Sequence, residues 1–84
     1  MMKEWLLTAD DTIDKEPGDG DMVIYLVKHP VIHKYQTYVG IIARELNDSQ
    51  WIINGQIQYK LQVLFVLTLE GYLKQKRFCN TLAY

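Results

Sequence analysis

The chain has a single cysteine, Cys79, so no intrachain disulfide can form. A chain of 84 residues that folds without such staples is expected in a reducing compartment, cytosolic (cytoplasmic) or nuclear. Long apolar runs are also missing. The longest, Leu61 to Leu69, is interrupted by Gln62 and Thr68 and falls far short of the ~20 residues a bilayer-spanning helix needs. No positively charged start leads into an apolar segment, so no signal peptide is expected. Basic excess is lacking as well: nine Lys and Arg stand against ten Asp and Glu, for a net charge of −1. That disfavours a general nucleic-acid binder, which must neutralise phosphates, and equally a strongly acidic mimic of DNA. The expectation is one small soluble intracellular domain over residues 1–84 whose core is thin, since a chain this short buries only about 60–65% of its unfolded surface.

Catalytic and metal-binding patterns are sparse. His29 and His33 are four apart, a spacing that suits one metal only on a helix, and Pro30 opposes a helix there. Asp19 and Asp21 alternate like calcium ligands, but the remaining positions of a calcium loop are not filled. Ser49 lies in a turn, and Cys79 is read as a small hydrophobe rather than a nucleophile. The glycines do not space as a phosphate-cradling loop. No catalytic residue, metal or cofactor is expected, and no membrane partner.

What is present is strand-forming. Met22 to Lys28 is a run of β-branched, aromatic and aliphatic residues with no helical period. Tyr35 to Leu46 alternates, with Tyr35, Thr37, Val39 and Ile41 on one face and Tyr38, Gly40 and Ile42 on the other; Gly40 suggests a bulge or bend. After a polar turn at Asn47-Asp48-Ser49, Asn54-Gly55 predicts a type I′ hairpin joining Trp51–Ile53 to Gln56–Tyr59. Leu61 to Leu73 is apolar all round and open to either reading; its β-branched content favours a central strand through Leu69, with a bend at Gly71. The tail from Tyr72 reads as a hairpin arm or a short helix. At the other end, Trp5, Leu6 and Leu7 suggest a short strand or helical turn. The fold class is mainly β, or α+β with a short terminal helix.

The order Pro17-Gly-Asp-Gly-Asp21, Met22-Val-Ile-Tyr-Leu26, Tyr38-Val-Gly-Ile-Ile42, a polar turn and Trp51-Ile-Ile53 resembles the small SH3-like barrels. The resemblance covers Pro17 to Tyr59 and implies a small antiparallel sheet or partly open barrel, without implying a function.

Charge is unevenly placed. An acidic loop at 10–21 carries Asp10, Asp11, Asp14, Glu16, Asp19 and Asp21 against one lysine, whereas residues 72–84 carry Lys74, Lys76 and Arg77 with no acid. This split can pair the two ends within one molecule, orient a dimer or meet different surfaces. Aromatics dominate binding hot spots, so Tyr35, Tyr38, Trp51 and Tyr59, with Lys74, Lys76 and Arg77, form the candidate partner surface. Asp10, Asp11, Asp14, Asp19 and Asp21 form an acidic one. The favoured function is a non-enzymatic protein-binding module, an accessory or inhibitory factor docking on a larger protein. Alternatives are nucleic-acid binding through Lys28, Lys34, Lys60, Lys74, Lys76 and Arg77, or homo-oligomerisation through a strand edge.

Overall fold

The structure, a computed structural model, describes residues 7–82, with side chains described through residue 77; the apolar group at Trp5 and Leu6 lies outside these residues, as does the side chain of Cys79. Six strands form one antiparallel sheet that is not closed: β1 (Thr12–Ile13), β2 (Met22–Lys28), β3 (Tyr35–Asn47), β4 (Gln50–Ile53), β5 (Gln56–Tyr59) and β6 (Val63–Leu67), in the spatial order β1-β6-β2-β3-β4-β5. A helix, α1 (Leu69–Leu82), follows, and short 3-10 turns occupy Ala9–Asp11 and Lys60–Gln62.

The connection from β5 to β6 forces the sheet to curl. Four strand spacings separate them, about 19 Å across a flat sheet. Only Lys60–Gln62 joins them, and the four Cα steps from Tyr59 to Val63 reach at most about 14 Å. Four meandering strands, a 3-10 turn and a last strand that pairs with β2 make a curled antiparallel sheet that stays open. The remaining gap is bridged by one side chain: the Gln62 amide donates to the Leu26 carbonyl at 2.7 Å and to Gln58 Oε1 at 3.0 Å, while its oxygen accepts from the Tyr59 amide at 2.6 Å.

Inside the curl lies the core of Val23, Tyr25, Ile42, Trp51, Ile53 and Val66, edged by Val27, Tyr38 and Val63. Ile24 points to the opposite face yet is also fully buried, because α1 lies across β2, β3 and β6. A central strand covered on both sides needs no polar alternation, which accounts for the unbroken apolar run in β2.

The bend of β3 differs from the glycine bulge suggested by its sequence. Gly40 pairs regularly with Val23, and the register slips instead at Ala43 and again at Leu46, between Ile42 and Asn47. These extra residues let one strand pair with β2 along its first half and with β4 along its second. Gly40 serves close approach: a Cβ there would lie 2.6 Å from Asn54 Nδ2 and 2.7 Å from Ile53 Cγ2. The Asn54-Gly55 hairpin forms as expected, with φ of 53° and 75°. Over Gly40, Asn54 Nδ2 reaches the Tyr25 hydroxyl (2.9 Å) and the Val39 carbonyl (3.0 Å), tying the hairpin turn to the central strands. Asn54→Gly preserves the turn and removes these bonds; urea unfolding should show a loss of about 1–2 kcal/mol.

The strand expected through Leu69 stops at Leu67, and Gly71 lies within the first turn of α1 rather than at a bend. Thr68 decides this. Its hydroxyl accepts the Gly71 amide at 3.0 Å, an N-cap bond that starts the helix. Among the described residues no helix is long and apolar enough to cross a membrane.

Candidate functional site

The acidic loop begins with an anchored residue. Asp11, read from the sequence as part of an acidic surface, is 3% exposed. Its backbone carbonyl accepts the Thr68 amide at 3.0 Å, and its carboxylate accepts Lys74 Nζ at 2.8 Å and the Thr8 amide at 2.9 Å. The opposite charges of the two ends are thus joined within one molecule at this pair. The Lys74 hydrogen bond, helped by the Thr8 amide, holds the Asp11 carboxyl below the usual carboxylate range, and the same contact raises the Lys74 ammonium above its ordinary value. A lowered carboxylate contributes stability that is present above its unfolded pKa and lost as the pH falls through the folded one; a raised lysine contributes stability lost only in strong base. The pair's stabilisation is therefore flat across neutral pH and falls away below about pH 4. Asp11→Asn is expected to lower the urea midpoint at pH 6 and to make the acid side of the stability profile shallower, measured between pH 3 and 6.

Asp21 is also committed internally, accepting the Gly18 amide at 2.8 Å and Lys15 Nζ at 3.1 Å. Asp10, Asp14, Glu16 and Asp19 are the exposed acids of this segment.

Between the anchor and this loop the chain pairs briefly with β6, Thr12 opposite Leu67 and Ile13 opposite Val66. A three-residue turn then lifts it off, the Lys15 amide donating to the Ile13 carbonyl at 3.0 Å. Because β1 ends there, a cleft of about 500 Å³ opens between Thr12–Pro17 and Val63–Val66. Ile13 and Pro17 supply apolar surface from one wall, Val63 and Leu64 from the other, and Asp14 and Glu16 place carboxylates on the loop side. The arrangement suits an extended chain lying beside β6 where β1 leaves off.

Of the candidate partner residues, none lines this cleft. Trp51 is a core residue, covered by Lys60, whose Nζ lies 4.4 Å from the ring centroid and pairs with Glu45. Tyr38 is half-buried and stacks on Tyr25 with centroids 6.0 Å apart. Tyr35 and Tyr59 are exposed, Tyr35 at the start of β3 opposite Lys28 and Tyr59 at the end of β5 opposite Gln50. Lys74 is held by Asp11, and Lys76 and Arg77 are exposed on α1, Lys76 5.6 Å from the Tyr72 ring centroid. The six basic residues proposed for nucleic acid divide likewise: Lys60 and Lys74 hold carboxylates, Lys28 and Lys34 flank the β2–β3 turn, and the last two lie on α1. Among the described residues no three His, Cys, Asp or Glu side chains gather as metal ligands.

Two structural anchors escaped the sequence reading. Gln62 looked like an interruption in an apolar run, although a lone amide in such a run is a cue for a half-buried polar bridge. Asp11 looked like one acid among six; Thr8, three residues before it, was the available sign of a capped turn. No family model, curated protein or solved structure matches this chain.

Proposed function

We propose that this chain is a non-enzymatic protein-binding module, an accessory or inhibitory factor that receives an extended segment of a larger protein in the cleft beside β6. The observation that carries this reading is the early end of β1: among the described residues its pairing with β6 stops at Ile13 opposite Val66, beside an apolar cleft, a setting in which added strands gain main-chain hydrogen bonds and side-chain pockets. Asp14 and Glu16 favour basic side chains in the incoming segment.

The test compares capture by the wild-type chain with capture by an Ile13→Glu variant and an Asp14→Lys/Glu16→Lys variant, followed by an NMR titration with the captured protein. A partner lost with both variants, and amide shifts centred on Ile13 and Val63–Val66, are the expected results. Shifts centred elsewhere would remove the cleft from the interface. Self-association in a light-scattering concentration series, abolished by the same variants, would make the occupant a second copy of the chain.

A further inference from the structure

The turn between β2 and β3, residues 29–34, exposes two aliphatic side chains at its tip, Val31 (75% exposed) and Ile32 (52%). Lys28 and Lys34 flank them, with His29, His33 and the exposed Tyr35 alongside. No Asp or Glu occurs between Asp21 and Glu45. Glu45 itself lies in the far half of β3 and is paired with Lys60. The acidic loop sits at the other end of β2, about 20 Å along the strand. That is more than two screening lengths at physiological salt, so its charge does little to cancel the positive tip.

The amide hydrogens of this tip find acceptors within it. His29 Nδ1 accepts the amides of Val31 at 3.1 Å and Ile32 at 3.3 Å. The His29 amide donates to the Lys34 carbonyl at 2.8 Å and the His33 amide to the His29 carbonyl at 3.0 Å, with His33 at a φ of 57°. Pro30 has no amide hydrogen to satisfy. Every amide hydrogen from His29 to His33 therefore has an acceptor inside the turn, which lowers the penalty for carrying these donors to the edge of a water-poor medium, while carbonyls at the tip can face water or headgroups.

We propose that the β2–β3 tip docks on the surface of an anionic lipid bilayer, independently of the cleft. Val31 and Ile32 enter the boundary between headgroups and acyl chains, Lys28 and Lys34 meet anionic headgroups, and Tyr35 lies at the interface. A bilayer fits better than a nucleic acid because the projecting group is aliphatic; phosphate alone offers Val31 and Ile32 nothing.

The experiment is co-sedimentation of the full chain with vesicles of phosphatidylcholine, with and without phosphatidylserine. Binding is expected only to the phosphatidylserine vesicles and should weaken with added salt. Lys28→Gln/Lys34→Gln should lower the partition coefficient about 25-fold, at roughly fivefold per lysine. Val31→Ser/Ile32→Ser should lower it by more than about tenfold, and Lys76→Gln/Arg77→Gln should change it less than about twofold. Circular dichroism establishes that each variant is folded, which these exposed positions favour. No binding at low salt, equal binding to the neutral vesicles, or full binding by Val31→Ser/Ile32→Ser would each overturn the proposal.

Discussion

Ile42→Ala is expected to remove a large part of the stability of this protein, about 3–4 kcal/mol, read as a fall in melting temperature of roughly 15–25 °C. Ile42 is fully buried, at the point where β3 stops pairing with β2 and begins pairing with β4. Its side chain contributes to the core cluster, and its backbone accepts the Gly20 amide at 2.8 Å and donates to the Asp21 carbonyl at 2.9 Å. Alanine keeps the backbone bonds and leaves a cavity between two halves of a curled sheet, which cannot collapse without opening the curl. For a chain of this length the whole stability is about 4–12 kcal/mol, so the loss is a major fraction of it. Ile41 is the internal control. It is one residue away, 47% exposed on the outer face, and Ile41→Ala should cost less than about 1 kcal/mol. Urea unfolding of both variants reads the difference directly. Equal losses would show that the core does not lie inside the curl.

Gly71→Ala is expected to destabilise the protein by about 2 kcal/mol, although alanine is the better helix former by about 1 kcal/mol. The sign is set by packing. A Cβ at position 71 would stand 2.3 Å from the Asp11 carbonyl oxygen and 2.9 Å from its Cβ, so the first turn of α1 or the Ala9–Asp11 turn must move. Overpacking against backbone costs about 3 kcal/mol at the upper end of its usual range, which outweighs the propensity gain. The movement should also disturb the Thr68 amide to Asp11 carbonyl bond and the Asp11–Lys74 pair. In an Asp11→Asn background the further effect of Gly71→Ala on the acid side of the profile should therefore vanish. A gain in stability from Gly71→Ala alone would mean that α1 does not dock on Asp11.

These two positions also show where local reading succeeded and failed. Strand alternation placed Ile42 on the face opposite Ile41, because alternation is a property of the backbone that needs no neighbours; which of the two faces is the core was decided by the curl. Gly71 was misread because a glycine after an apolar run is an ordinary bend signal; its partner, Asp11, is sixty residues earlier. Gly40 was misplaced for the same reason. A bulge and a close approach leave the same mark in a sequence, and only the position of Asn54 above it separates them. The cleft was illegible altogether, since it is made by a turn at Lys15 meeting a strand that begins at Val63.

By itself the sequence determined the β-rich character, the limits of β2, the Asn54-Gly55 turn and the uneven charge, because each rests on a few neighbouring residues: β-branching, alternation, tolerance of positive φ, and counts of acids and bases. Tertiary structure alone decided that Trp51 is core rather than surface, that Asp11 and Lys74 pair with each other, that residues 69–82 form a helix, and that the acidic loop stands beside a strand edge. Those outcomes depend on which distant surfaces the curl of the sheet brings together. The curl is imposed by a three-residue connection whose shortness is plain only once β5 and β6 are known to lie four strands apart.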